Sequence, residues 1–136
     1  GIYLGRLLGH ELKQTAFSQC DLIIPVPLHR KRYRERGYNQ SELIARGVSE
    51  VLEIPVETHV LVRSAQHDSQ TSMGRLSRFE NVSGNFRIAP HSPEISGKQI
   101  LLIDDVVTTG ATLEACATEL LNTFHCQIYI ATVCCA

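Results

Sequence analysis

Residues 100–112, reading ILLIDDVVTTGAT, restrict the fold of this chain more than any other stretch. Four apolar residues run without a polar break into two adjacent carboxylates, Asp104 and Asp105. After two valines the chain turns small and hydroxyl-rich at Thr108, Thr109, Gly110, Ala111 and Thr112. An unbroken apolar run, rather than an alternating one, marks a strand covered on both faces, the usual condition of a parallel sheet in an α/β protein. Threonines and a glycine directly after such a strand suit the start of a helix. The segment therefore reads as a strand over 99–104, an acidic end, a turn, and a helix over 112–124.

The remainder repeats that grammar. Tyr3, Leu7, Leu8 and Leu12 stand at helical spacing and predict an amphipathic helix over 2–16. Residues 22–26 form a short apolar strand closed by Pro25 and Pro27, and a basic run over 29–36 ends at Gly37. Leu43, Ile44, Val48, Val51 and Leu52 share one face of a helix over 39–52, with Asn39 as its N-cap. Residues 56–62 alternate like a strand, 85–89 suit a short strand, 92–97 hold turn residues, and 128–133 form a last apolar strand. Residues 63–84 lack a long apolar period and are expected to be a lid loop with one short helix over 73–81. Strands alternating with helices give an α/β fold: a single domain over 1–136, a largely parallel central sheet with helices on both faces, and a small hood.

Composition narrows the class of function. A formal net charge of −1 argues against a dedicated nucleic-acid binder. No apolar run approaches the length of a membrane span, so membrane insertion is not expected. The five cysteines, Cys20, Cys116, Cys126, Cys134 and Cys135, are odd in number and contain no C-x-x-C. They fit neither a disulfide framework nor a zinc site, and read as reduced thiols of a cytoplasmic protein. The histidines show no metal spacing. His67 and Asp68 are adjacent and could act as a base pair, but two polar loop residues is the better reading.

In open parallel sheets ligands bind at the carboxyl ends of strands, where helices begin. There the turn offers unpaired N–H groups with partial positive charge, which favour a phosphate. Helix capping would explain the threonines alone. It does not explain two neighbouring carboxylates, which repel unless a cation or a diol uses them. No Gly-Lys-Ser/Thr nucleotide loop and no G-x-G-x-x-G fingerprint occurs.

At every position the segment ILLIDDVVTTGAT resembles the phosphoribosyl pyrophosphate (PRPP) motif of type I phosphoribosyltransferases. The resemblance implies that Asp104 and Asp105 are the catalytic pair, holding the ribose 2′ and 3′ hydroxyls directly or through magnesium-bound water. It implies that Val107, Thr108, Thr109, Gly110, Ala111 and Thr112 cradle the 5′-phosphate. The basic run could be a solvated surface or a nucleic-acid patch, since Tyr33 lies among its arginines. Its place after the strand at 22–26 favours pyrophosphate binding by Arg30, Arg36 and Gly37. Pro25-Val26-Pro27-Leu28 and Arg36-Gly37-Tyr38-Asn39-Gln40 are similar to the ComF/GntX-like branch, and Gln70, Arg78, Asn81, Val82, Gly84 and Phe86 echo it.

That branch is associated with natural competence and gluconate use. The implied function is magnesium-dependent transfer of phosphoribosyl to an unknown nitrogen acceptor with release of pyrophosphate, linked to DNA uptake. The alternative is a non-catalytic PRPP or nucleotide sensor, or a module touching single-stranded DNA or competence-machinery proteins. Residues 63–80 contain no lysine, so the lid cations are Arg63, Arg75 and Arg78. A homodimer is an open expectation. Many members of the branch carry a four-cysteine zinc module, and Gly1 is expected to mark where one was lost or cut. No glutaminase segment is present to supply ammonia.

Overall fold

The computed structural model describes residues 1–64 and 85–136. In chain order the described elements are α1 (Ile2–Leu12), a 3-10 turn (Ala16–Gln19), β1 (Leu22–Pro25), α2 (Arg30–Arg36), α3 (Gln40–Leu52), β2 (Leu61–Arg63), β3 (Phe86–Ile88), β4 (Gln99–Val107), α4 (Ala111–Thr123) and β5 (Gln127–Cys135). The central sheet has the order β1-β4-β5 and is parallel throughout. β2 and β3 form a separate antiparallel ribbon.

Strand periodicity sends alternate residues to opposite faces. Ile24, Ile100 and Leu102 pack with Val60, Leu61, Phe86, Leu113, Cys116 and Leu120, so the ribbon and α4 cover one face. Ile23, Leu101 and Ile103 pack with Ile44, Ala45 and Val48, and α3, backed by α1, covers the other. Ile23, Ile100, Leu101, Leu102 and Ile103 are fully buried, as the unbroken apolar run requires. The fold is the expected α/β architecture with helices on both faces.

α1 crosses α3 at a glycine contact. A Cβ added at Gly5 would strike the Ile44 carbonyl oxygen, and one at Gly47 would strike that of Ile2. The two backbones meet without side chains between them.

Four segments differ from the sequence expectation. α1 stops at Leu12, because the Thr15 hydroxyl donates to the Leu12 carbonyl (2.7 Å) and accepts from the Phe17 N–H (3.2 Å), drawing the chain out of the helix. Of residues 56–62, Val56 makes a single parallel bridge to Ile23 and pairing resumes only at Leu61. β4 runs on to Val107, because Asp104, Val106 and Val107 stay in register with Thr132, Cys134 and Cys135. The basic run is a helix: His29 Nδ1 accepts from the Lys31 N–H (3.2 Å) at its start, and Gly37, at φ 79°, closes it. The short helix expected over 73–81 lies outside the described residues.

Candidate functional site

β1 and β4 are parallel neighbours whose carboxyl ends lie side by side, with Pro25 opposite Ile103. The chain leaves β1 through Val26, Pro27 and Leu28 into α2 and then α3, and leaves β4 through the threonine turn into α4. Between these exits is a cleft of about 360 Å³. Asp104, Asp105, Val106, Thr108 and Thr112 line one side. Arg32, Arg36, Asn39, Gln40 and Ser41 line the other, with Arg63 from the ribbon and Val26, Pro27 and Leu28 from the strand exit. A smaller cavity of about 40 Å³ adjoins it, bounded by the turn from Val106 to Leu113 and by Asp104. Asp104, Val106, Thr108 and Thr112 border both spaces.

The two carboxylates are held differently. Asp104 is 9% exposed, and its Oδ1 accepts from the Ser41 hydroxyl (2.8 Å) and from the Asp105 N–H (2.9 Å). Burial pushes its pKa up to about 6, although both hydrogen bonds favour the ionised form; the adjacent Asp105 adds to the rise. Asp105 is half-buried, and its Oδ1 accepts from the Val106 N–H (2.9 Å). Ser41 thus ties the acidic strand end to α3 across 63 residues of sequence.

The turn has the form its sequence suggested. Gly110 takes the left-handed conformation (φ 83°) at the N-cap of α4 and supplies no side-chain cap. Thr109 Oγ1 accepts from the Ala111 N–H at 3.3 Å. The other first-turn N–H groups have no intrahelical carbonyl to pair with, as at any helix start. Val107, Thr108, Thr109, Gly110, Ala111 and Thr112 all border the smaller cavity.

The structure divides the basic residues. Arg32 and Arg36 are four residues apart in α2, share a side of it, and line the acidic cleft. Arg30 instead lines a second cleft of about 400 Å³. Gly37 lines neither; its N–H donates to the Tyr33 carbonyl (2.7 Å) and terminates α2. Of the three residues expected at pyrophosphate, only Arg36 lies in the acidic cleft. Arg63 lines both clefts, and its guanidinium carbon sits 5.1 Å from the Phe86 ring centroid. Arg75 and Arg78, like His67 and Asp68, lie outside the described residues.

Sequence reasoning missed Arg32, Gln40 and Ser41, and saw only half the role of Asn39. The Asn39 Oδ1 does cap α3 by accepting from the Ser41 N–H (3.1 Å), while its Nδ2 donates to the Val26 carbonyl (3.0 Å). The spacing of Arg32 and Arg36 signals a shared face once the run is taken as a helix. Nothing in the sequence marks Ser41. Among the described residues no cluster of three His, Cys, Asp or Glu side chains could hold a metal, and no helix is long and apolar enough to cross a membrane.

Residues 39–136 match the phosphoribosyl transferase domain family. The chain is 36% identical over 104 residues to competence protein F of Haemophilus influenzae, covering 76% of this chain and 43% of that one. It is 29% identical over 125 residues to the DNA utilization protein YhgH of Escherichia coli O157:H7, covering 92% and 54%. Competence protein ComFC of Bacillus subtilis is 33% identical over 101 residues, covering 74% and 38%. The chain spans about half the length of the curated relatives it matches. Among solved structures, glutamine PRPP amidotransferase from B. subtilis superimposes with a TM-score of 0.64 at 18% identity, covering 97% of this chain and 25% of that one. Purine phosphoribosyltransferase from Pyrococcus horikoshii gives 0.56 at 20% identity, covering 96% and 68%. Those likenesses establish the fold, and the family match extends from α3 to the end of β5: the chain belongs to the phosphoribosyl transferase domain family and is ComF-like within it.

Proposed function

We propose that this chain binds PRPP with magnesium and transfers its phosphoribosyl group to a nitrogen acceptor, releasing pyrophosphate, in a process linked to competence. The observation that carries this reading is one cleft that brings a carboxylate pair together with two kinds of anion-binding group. The threonine turn and its helix N-terminus lie on one side, and Arg32 and Arg36 lie on the other. A molecule bearing a phosphate, a diol and a pyrophosphate on one ring is complementary to that set of groups.

The roles divide accordingly. The N–H groups and hydroxyls of 107–112 hold the 5′-phosphate. Asp104 and Asp105 hold the ribose diol and polarise toward C1′. Arg32 and Arg36 neutralise charge as pyrophosphate leaves, a role in which prearranged cations lower the barrier. The transition state is oxocarbenium-like, so catalysis here is positioning and charge stabilisation rather than covalent chemistry. Magnesium fits this donor set: two hard carboxylates, one of them desolvated enough to reach a pKa of about 6, suit an ion that takes its other ligands from substrate oxygens and water. Bound there, the ion would offset charge on the diphosphate.

Calorimetry tests the reading. Magnesium-PRPP should bind, and Asp104→Asn with Asp105→Asn should weaken binding at least about tenfold, roughly 1.4 kcal/mol. No binding, or binding untouched by both substitutions, would sink it. A second reading, contact with single-stranded DNA, draws on the exposure of Arg30, Arg32, Arg34 and the half-exposed Tyr33 along α2. It predicts steeply salt-dependent oligonucleotide binding that survives Thr109→Ala and is lost when Arg30, Arg32 and Arg34 are replaced.

A further inference from the structure

The second cleft, of about 400 Å³, shares Pro27, Leu28 and Arg63 with the acidic cleft, so the two spaces adjoin along those residues. Its character is different. Arg30 from α2, Arg63 at the end of β2 and Arg87 in β3 contribute three guanidiniums. Among the described residues every other lining residue is apolar and none is a carboxylate: Pro27 and Leu28 come from the strand exit, Leu61 and Val62 from β2, and Pro90 from the segment after β3. Arg30 and Arg87 are exposed and form no ion pair among the described residues. Arg63 lies close to the Phe86 ring, which limits where its guanidinium can point.

Two exposed cations, Arg30 and Arg87, beside an apolar floor suit a small anion with a flat apolar body. A guanidinium pairs bidentately with a carboxylate, and proline and leucine side chains accept the face of a ring. A neutral heterocycle would leave Arg30 and Arg87 uncompensated, and a cationic amine would be repelled by them. The volume lies within the ordinary range for small-molecule sites. An extended phosphodiester backbone would need a track longer than this cleft.

We propose that this cleft is the acceptor site, and that the acceptor is an aromatic or heteroaromatic carboxylate presenting a ring or amino nitrogen past Pro27 and Leu28 into the adjoining acidic cleft. This rests on the transferase reading. In the transfer, the nitrogen lone pair forms the bond to C1′ and the C1′–O bond breaks. Its electron pair leaves on pyrophosphate, and any N–H proton passes to solvent.

Matched probes test the inference: nicotinate against nicotinamide and benzoate against benzamide, titrated into the protein with and without magnesium-PRPP and followed by amide chemical shifts. Each carboxylate should bind at least about tenfold tighter than its amide and shift the amides of Val62 and Arg87. Arg30→Ala and Arg87→Ala should each abolish that preference while leaving magnesium-PRPP affinity unchanged, and preserved spectra away from the cleft would show that the variants fold. If the carboxylates bind through Arg87 but magnesium-PRPP does not bind, the anion site stands and the acceptor role falls with the transferase reading. If magnesium-PRPP binds but the amides bind as well as the carboxylates, the inference falls alone. Preferential binding of an oligothymidylate at Arg30 and Arg87 would overturn it in favour of a nucleic-acid surface.

Discussion

Asp104 concentrates the cost of this site in one carboxyl group. It is buried at the end of the central strand, and its pKa is raised from an ordinary 3.8 to about 6. Between those values the folded chain holds more of this proton than the unfolded chain does. The contribution of Asp104 to stability therefore falls as pH rises from about 4 to 6 and stays lost above that window. Asp104→Asn keeps an oxygen to accept from Ser41 and from the Asp105 N–H but has no charge to desolvate. Measured by thermal unfolding in chelator, the variant should match wild type near pH 4 and exceed it near pH 7.5 by about 2–3 kcal/mol. Equal stabilities across the range would show that the ionised carboxylate is not penalised. A group that destabilises the fold it belongs to is what a binding site leaves behind, since ligand complementarity and core packing make opposite demands.

At the scale of elements, the helix crossing makes a second prediction. In an exposed helix, glycine to alanine gains about 1 kcal/mol. At Gly47 the new Cβ would lie 2.7 Å from the Arg6 nitrogen and 2.8 Å from Gly5 Cα, besides striking the Ile2 carbonyl. Gly47→Ala should therefore destabilise the chain by about 1–3 kcal/mol, read as a lower urea midpoint with unchanged slope. Elements with a strong local signature were legible in the sequence. β4 announces itself by its apolar run, α3 by its apolar face and Asn39, and the phosphate-sized turn by Gly110 and its threonines. What stayed hidden depends on pairing between distant segments. Nothing local separates Leu61 from Val56, because strand pairing there is set by β3. The glycines of α1 and α3 look like weak helix residues until the two helices are brought together. Arg30 and Arg36 look alike in a basic run, and only helical geometry turns them toward different clefts. Ser41 becomes a site residue only when β4 arrives beside α3.

On the scale of the whole molecule, the sheet sorts the thiols. Cys20 and Cys116 are buried, and desolvation pushes their pKa values up to about 11 and about 12; Cys126 is half-buried and raised for the same reason. Cys134 and Cys135 are exposed at the end of β5. An aromatic disulfide reagent should titrate Cys134 and Cys135 promptly in the native protein and the buried pair only in denaturant. Prompt reaction of all five would contradict the packing. The same sheet also fixes when the molecule can first exist. β4 is its hub: β1 and β5 each pair with it and not with each other. Apart from the bridge at Val56, β1 waits for partners 78 positions downstream, as the Asp21–Gln99 contact does. On a ribosome, the first hundred residues would emerge with both cleft-facing arginines of α2 and none of the acidic wall. The acidic cleft therefore gains its carboxylates in a single late step, and a nascent chain stalled before Ile100 would carry the arginine side of the cleft without its counterpart.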